Sequence, residues 1–332
     1  MKLFIKKIFI LSVVILLLPF FLILSLELQF KNIDTSNIYP KYLKLNRDKK
    51  EFPLDILIAG DSRAERQIIP EMLKGKNQKK ILNLAVSSGD INRLRDFIHN
   101  RKEAKSLFNN KTILLLSTST WQIDDNQQKW GHLSYSTFKY LSFYEKFDIL
   151  NNKKDYLKYV LSIHKNNLRN IFNIWSYDSN IDSLGYLAVQ GDITNLPNSE
   201  LDNIILNIKQ EWNDVKLNGY RWEEFKKSIK FFSGEFDKVI IIIPPVTDVW
   251  RKSIEKTKIE DFNKNFIFKT KELIKNKNLS NTLLWDFYEK NNFQINDSDY
   301  YDTHHFNNSG AIKFTKKLRE KLDNLSDSIY KP

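Results

Sequence analysis

Cysteine is absent from the 332-residue sequence, and this absence excludes several kinds of site. The chain can have no disulfide framework, no thiol nucleophile and no cysteine-ligated zinc. An internal repeat and a recognition motif for nucleic acid are also missing from the sequence. The composition that is present predicts a folded protein, with 42% hydrophobic, 28% charged and 13% aromatic residues.

The net charge of the chain is strongly basic, at +12. Such a charge is common in nucleic-acid-binding proteins, but here basic and acidic residues are interspersed rather than gathered in one block, as between Lys252 and Glu260. We therefore expect no nucleic acid partner. Two interpretations of the charge stay open: a solvated, lysine-rich surface, and an attraction to anionic envelope polymers or lipid head groups.

An uncharged segment near the N-terminus predicts a membrane anchor. Three lysines precede residues 8–26, which are almost wholly apolar. A helix needs roughly 20 apolar residues to cross the ~30 Å hydrocarbon core, and this run is just long enough. The lysines favour a cytoplasmic N-terminus, so the rest of the chain would be extracytoplasmic, in the periplasm or at the cell surface. A cleaved signal peptide is the alternative, although its apolar region is usually only about 7–15 residues long.

Five continuous apolar runs predict the strands of a parallel sheet. Runs of this kind suit strands that are covered on both faces. Helical patterns separate several of them, at Ile91–Arg101 and Glu260–Lys275, and a last one begins near Ser309 after the fifth strand. This alternation predicts a three-layer, doubly wound α/β fold of the flavodoxin-like kind. The five predicted strands are Asp55–Ala59, Lys80–Ala85, Thr112–Ser117, Lys238–Ile243 and Thr282–Phe287.

The spacing of these strands predicts four regions. Residues 1–28 form the anchor and residues 29–52 a polar linker. Residues 53–120 and 237–328 together make the catalytic domain. Between them, residues 121–236 are far more numerous than one crossover helix requires, so we expect a large, mainly helical insertion rich in aromatic residues. Its aromatic side chains could cover the substrate and stack on sugar rings, or they could form the insertion's own core.

The first candidate site segment is Gly60-Asp61-Ser62-Arg63, directly after the first predicted strand. Glycine permits the unusual backbone of a tight turn, and a serine that begins the following helix lies at its positive end. Ser62 is therefore a candidate nucleophile, with backbone amides nearby that could face a developing oxyanion. The alternative is that Asp61 and Ser62 only cap the helix, a common role for both residue types.

The second candidate segment is Asp302-Thr303-His304-His305, just before the last predicted helix. An imidazole can take the proton of a serine, and a carboxylate can hold that imidazole in the required tautomer. His305 and Asp302 supply these groups, so a triad with Ser62 is the favoured interpretation. Metal binding and a purely structural histidine pair are the alternatives. The chain offers no obvious further ligand set, and we expect neither a metal nor a cofactor.

Together these segments resemble the SGNH/GDSL hydrolase superfamily, through Gly-Asp-Ser after the first strand and Asp-x-x-His before the last helix. The Asn83–Gly89 and Asp302–Ala311 segments are similar to its membrane-anchored, extracytoplasmic branch. That branch includes partner proteins of membrane-bound O-acyltransferases in polysaccharide acetylation and teichoic-acid D-alanylation. The resemblance leaves the insertion outside and covers roughly Asp55–Val86, Thr112–Ser117, Lys238–Pro245 and Thr282–Leu322.

The resemblance implies a role for four residues. Ser62 corresponds to the nucleophile and His305 to the base that takes its proton. Asp302 corresponds to the residue that orients the base. Gly89 corresponds to a glycine whose backbone amide donates a hydrogen bond to the oxyanion.

One residue of the superfamily pattern is missing. An asparagine that completes the oxyanion hole usually follows the third strand, but this sequence has Ser117-Thr-Ser-Thr-Trp121-Gln122 there. Losing one oxyanion donor can cost about 10²–10³ in rate. Ser119, Thr120 and Gln122 are the candidates to replace it.

We expect a membrane-anchored serine esterase or O-acyltransferase that acts on acyl esters of a cell-envelope polysaccharide through an acyl-serine intermediate. Arg63 would hold an anionic group of the donor or polymer, or else form an ion pair at the surface. A membrane-bound O-acyltransferase is a candidate partner. The alternative class is a non-catalytic envelope protein that binds polysaccharide or scaffolds such an acyltransferase. The missing asparagine and the aromatic insertion favour that alternative, whereas the complete Ser-His-Asp set argues against it.

Overall fold

The computed structural model describes residues 38–46, 52–75, 78–87, 89, 91–100, 102–123, 181–211, 217, 219–289, 292–293 and 295–329, together with Val13 and Leu17. The chain divides into two units, and nearly all described residues belong to the larger one, Asn37–Gln127 with Ile174–Pro332. The predicted anchor, apart from Val13 and Leu17, and the first half of the predicted insertion lie outside the described residues. No helix among the described residues is both long enough and apolar enough to cross a membrane.

Five strands form one parallel sheet. Their order across the sheet is β2-β1-β3-β4-β5, and every neighbouring pair is parallel. Each strand overlaps one of the five apolar runs, so the predicted parallel α/β sheet is confirmed. This order is that of the doubly wound, flavodoxin-like type. The strands are β1 (Ile56–Gly60), β2 (Ile81–Asn83), β3 (Ile113–Ser117), β4 (Lys238–Ile243) and β5 (Thr282–Asp286).

Helices connect and flank the strands. The three predicted helices are present, and their bounds agree with the predicted ones to within two residues. The described helices are α1 (Ile38–Asn46), α2 (Ser62–Gln67), α3 (Pro70–Leu73), α4 (Ile91–Asn100), α5 (Lys102–Lys105), α6 (Asn198–Glu211), α7 (Tyr220–Glu235), α8 (Asp248–Ile254), α9 (Lys258–Asn276) and α10 (Asn308–Ile329).

The sheet is buried on both faces, because side chains along each strand alternate between two apolar clusters. In β1, Leu57 and Ala59 belong to one cluster, whereas Ile56 and Ile58 belong to the other. Helices α1, α4, α7 and α9 contribute to the first cluster, and α2, α3 and α10 contribute to the second. The three layers that result explain why the strands are apolar throughout instead of alternating with polar residues.

The carboxyl ends of the strands make one edge of the sheet, and the strand order reverses there between β1 and β3. In open α/β sheets, ligands bind in the crevice at this kind of point. Gly60 at the end of β1 is paired with Ser117 at the end of β3. The segments that leave these two strands therefore start side by side, and one of them carries Ser62.

Three described helices, α1, α6 and α7, lie in regions that were predicted to be outside the sheet-bearing domain. α1 falls in the predicted linker, yet its Ile38, Tyr42 and Leu45 are buried in the first cluster. α7 falls in the predicted insertion, yet its apolar face is buried in the same cluster and leads directly into β4. The boundaries of the four predicted regions stay predictions.

Replacing Gly60 by alanine is expected to destabilise the fold. Gly60 has φ +135°, and an added Cβ would lie 2.1 Å from the carbonyl oxygen of Ser117. Backbone strain of about 1–3 kcal/mol and overpacking of about 1–3 kcal/mol should together lower the free energy of unfolding of Gly60→Ala by roughly 2–6 kcal/mol. A urea titration followed by circular dichroism measures this change.

Gly234→Ala is the matched control. Gly234 lies in α7, and an added Cβ there would meet nothing within 4 Å. This substitution should stabilise the protein by about 0.5–1 kcal/mol, because alanine has the better helix propensity. If Gly60→Ala were as stable as the wild type, the close approach of β1 to β3 would be contradicted.

Candidate active site

Ser62 begins α2, immediately after the turn that leaves β1. Asp61 is the N-cap of this helix, and its Oδ1 accepts a hydrogen bond of 3.0 Å from the amide of Arg63. The hydroxyl of Ser62 takes no part in the cap, and its Oγ lies 2.7 Å from Nε2 of His305. The side chain of Asp61 therefore caps the helix, and the hydroxyl of Ser62 is available to bind His305.

The loop 300–306 brings His305 to Ser62. Its two ends pair as an antiparallel bridge just before α10. Asp302 fixes the turn from inside, since its Oδ1 accepts hydrogen bonds from the amides of His304 at 2.9 Å and His305 at 2.8 Å. The three-residue spacing of Asp302 and His305 thus allows one carboxylate to bind the backbone and the ring of the same histidine.

The second oxygen of Asp302 binds the imidazole. Its Oδ2 lies 2.7 Å from Nδ1 of His305. When Asp302 is ionised, Nδ1 carries the donated hydrogen, and Nε2 is left to accept the hydroxyl hydrogen of Ser62. The structure therefore brings the three predicted residues into one chain of two hydrogen bonds. This is the arrangement that a serine nucleophile with a general base requires.

The charges of the loop favour an ionised carboxylate and a neutral second histidine. Burial alone would raise the pKa of Asp302, but the hydrogen bonds that its carboxylate accepts from the ring of His305 and from the backbone amide of His304 hold that pKa well below its usual range. The side chain of His304 is only partly buried, and this partial desolvation lowers its pKa below the usual value of 6.5. The Nδ1 of His304 pairs with the hydroxyl of Thr303 at 2.9 Å.

Two residues that sequence analysis missed hold this loop in place. Gln67 of α2 donates from Nε2 to the carbonyl of His304 at 2.7 Å. Thr247, which follows β4, donates from its amide and from its hydroxyl to the carbonyl of Thr303, both at 3.1 Å. The sequence did contain a signal for Thr247, because this residue follows the fourth predicted strand by only a few positions. Loops at that carboxyl edge of a parallel sheet commonly carry functional residues.

Gly89 lies beside the end of β1, as its predicted role requires. A Cβ on Gly89 would be 2.2 Å from the carbonyl oxygen of Gly60, so no larger residue fits without movement. Its amide, however, donates to the carbonyl of Val86 at 2.7 Å. That turn would have to open before the amide could donate to a substrate oxyanion.

The candidate replacements for the missing asparagine are bound within the protein. Ser119 donates from Oγ to Oδ2 of Asp61 at 2.7 Å. Gln122 donates from Nε2 to the carbonyl of Gly89 at 2.9 Å. Thr120 donates to a side chain of α9. Each of these three side chains thus donates one hydrogen bond that holds the segment after β3 to the rest of the protein.

Arg63 is buried next to Ser62. Only 7% of the residue is exposed, and its Nε lies 3.5 Å from Oδ2 of Asp61. Within the described part of the protein, this Nε has no hydrogen-bond partner. The ion pair considered for Arg63 therefore exists in the interior instead of at the surface, and its predicted role as an anion binder stays a prediction.

The same loop also has the donor set of a metal site. Asp302, His304 and His305 each place one potential ligand atom within 4.8 Å of the others. Both ring nitrogens of His305 are engaged, one with Ser62 and one with Asp302. Metal binding and the hydrogen-bond chain are thus alternative uses of one histidine.

His304→Gln is expected to weaken the acid sensitivity of the fold. A histidine whose pKa is lowered by folding takes up a proton more readily in the unfolded state, so its contribution to stability is present above about pH 6.5 and is lost as the pH falls below that value. The unfolding temperature of the wild type should fall between about pH 6.5 and pH 5, and that of His304→Gln should fall less. His99→Gln removes a histidine outside the site and is the control. Equal falls in the wild type and His304→Gln would contradict the lowered pKa.

Comparison with known proteins identifies no family for this chain but does find a distant structural likeness. No family model matches the chain, and no curated protein sequence matches it. One similar solved structure is a protein from Streptococcus pneumonia provisionally named a platelet activating factor, with 12% identity over 94% of this chain and 99% of that chain. The TM-score is 0.39, so the likeness is too distant to carry an argument about fold or function.

Proposed function

We propose that this chain is a serine-dependent acyl-transfer enzyme, an esterase or an O-acyltransferase, that works through an acyl-serine intermediate. The observation that carries the proposal is the hydrogen-bonded chain from Ser62 through His305 to Asp302. It lies at the carboxyl edge of a parallel sheet, beside the point where the strand order reverses. Nucleophile, base and orienting carboxylate are the three groups that such chemistry needs.

The first half-reaction transfers the acyl group to Ser62. Nε2 of His305 accepts the hydroxyl proton as Oγ attacks the carbonyl carbon of an acyl ester. Asp302 remains ionised and stabilises the imidazolium that forms. Nε2 then donates its proton to the departing alkoxide, which leaves as an alcohol, and the acyl group stays on Oγ of Ser62.

The second half-reaction releases the acyl group. Water or a sugar hydroxyl attacks the acyl-serine while Nε2 of His305 accepts the proton of the attacking oxygen. Collapse of the tetrahedral intermediate returns that proton to Oγ of Ser62. Hydrolysis and transfer differ only in this attacking hydroxyl, so exclusion of water from the site decides between them.

Stabilisation of the oxyanion is the weak part of this site. The amide of Ser62 donates no hydrogen bond within the described part of the protein, so it can serve as one donor. Gly89, Ser119 and Gln122 are engaged elsewhere. Because each missing donor can cost about 10²–10³ in rate, we propose slow turnover on simple esters.

The substrate and the location extend the proposal. We propose acyl esters of a cell-envelope polysaccharide as the substrate, an anchor at residues 8–26 in the cytoplasmic membrane, and a membrane-bound O-acyltransferase as the partner. The support is the resemblance of the two site segments to the extracytoplasmic SGNH branch, the uncharged N-terminal run and the basic charge of +12.

A non-catalytic envelope protein that binds polysaccharide or scaffolds an acyltransferase is the second candidate. The observation that favours it is that the predicted oxyanion donors Gly89, Ser119 and Gln122 each donate a hydrogen bond within the protein. A folded wild type that reacts with no acyl donor or serine-directed probe would favour this candidate over the enzyme.

Labelling of the full chain with a fluorophosphonate probe tests the proposed chemistry. The wild type should label at Ser62, and Ser62→Ala should not label. Asp302→Asn should lower the rate of acetyl ester hydrolysis by roughly 10³–10⁴, because the imidazole loses its tautomer control. Hydrolysis is followed by release of a chromogenic alcohol.

Ser253→Ala is the control for the labelling. Its hydroxyl bonds a backbone carbonyl in α8, away from the site, so this variant should label like the wild type. Labelling that persists in Ser62→Ala, or its absence from a wild type shown to be folded by circular dichroism, would contradict the enzyme proposal.

A further inference from the structure

A fully buried lysine of α1 is paired with the helix that carries Ser62. Lys41 is 0% exposed, although it lies in the segment predicted as a polar linker. Its Nζ is 3.1 Å from Oε1 of Glu65 and also donates to the carbonyl of Ala85. Glu65 belongs to α2, three residues after Ser62, and is itself only 2% exposed. The ammonium group of Lys41 in α1 therefore contacts α2, the helix that begins with Ser62.

Glu65 connects this ion pair to the segment 84–87. Its other carboxylate oxygen, Oε2, accepts a hydrogen bond of 2.9 Å from the hydroxyl of Ser87. Nη2 of Arg66 donates to the same hydroxyl at 3.4 Å. The backbone carbonyl of Glu65 accepts from the amide of Leu187 at 3.0 Å. One residue of α2 thus holds α1, the segment 84–87 and the segment around Leu187.

A buried ion pair is an unusual means of stabilisation. Removing a lysine and a carboxylate from water is unfavourable, and apolar residues of the same volume often stabilise a protein as well or better. Burial lowers the pKa of Lys41, and Glu65 opposes this effect. An apolar pair could not make the directed hydrogen bonds of this ion pair. Lys41 donates to the carbonyl of Ala85, and Glu65 accepts from the hydroxyl of Ser87.

We propose that Lys41 is a positioning residue for Ser62, and that it acts through Glu65 and the segment 84–87. This inference rests on the proposed function. α2 has only six residues and starts at the nucleophile, so its own backbone hydrogen bonds are too few to fix its position. The ion pair ties the middle of α2 to the segment leading to Gly89. The alignment of Oγ of Ser62 with His305 therefore depends on a helix that precedes the sheet.

The first test removes the charge of Lys41 in the full chain. Lys41→Met keeps most of the apolar length, and the rate constant of fluorophosphonate labelling at Ser62 should fall by about 10- to 100-fold, because small misplacements of a reacting group have effects of this size. Lys44→Met makes the same substitution in the same helix and should label at the wild-type rate. Phe232→Leu, in the core of α7, should lower the unfolding temperature without changing the labelling rate.

The second test separates positioning from stability. The double variant Lys41→Met/Glu65→Met leaves no unpaired buried charge, so it should recover stability relative to Lys41→Met. Its labelling rate should stay low, because the hydrogen bond from Ser87 to Glu65 is absent. Labelling of a folded double variant at the wild-type rate would overturn the inference and leave the ion pair a purely structural role.

Amide hydrogen exchange gives a readout that does not depend on chemistry at Ser62. Exchange at residues 62–67 and 84–87 should be faster in Lys41→Met than in the wild type and in Lys44→Met. Unchanged exchange in both segments would overturn the inference. Absence of labelling in the folded wild type would overturn the proposed function, whereas wild-type labelling with an unaffected Lys41→Met rate would overturn this inference alone.

Discussion

A hydrogen bond of 2.7 Å between Ser62 and His305 joins groups 243 positions apart in the sequence, and the surrounding structure holds both ends of it. Gln67, at the end of α2, donates to the backbone of the loop 300–306 that carries His305. Thr315 of α10 binds the same end of α2, accepting from the amide of Ile69 at 3.0 Å and donating to the carbonyl of Gln67 at 3.3 Å. Helix α2, the loop 300–306 and helix α10 therefore form one hydrogen-bonded assembly on the carboxyl edge of the sheet.

The site combines a well-ordered chain of hydrogen bonds at Ser62 with few free donors for the proposed oxyanion. The polar side chains near Ser62 are mostly engaged in holding loops: Ser119 holds Asp61, and Gln122 holds Gly89. If Ser62 acts as proposed, both half-reactions should be slow, because each passes through a tetrahedral intermediate that gains little stabilisation at this site. The slow turnover that we propose fits this distribution of contacts.

The sheet and the central residues were predictable, because their signals are local or chemical. Five apolar runs of strand length predicted five strands, and the residue types at 62, 302 and 305 pointed to a triad before any contact was known. The burial of Lys41 was not predictable, since a lysine in a polar stretch has no sequence signal for a carboxylate partner 24 residues away. The engagement of the Gly89 amide was also hidden, because it depends on the local turn and not on residue type.

The most direct test of the central claim is to trap the acyl-serine. The full chain is mixed with an activated acetyl ester, quenched in acid within the first turnover and digested for peptide mass spectrometry. We expect one acetyl group on the peptide that contains Ser62, its absence in Ser62→Ala, and a strong reduction in His305→Ala. Acetylation confined to lysines, or present equally in Ser62→Ala, would contradict a nucleophilic role for Ser62.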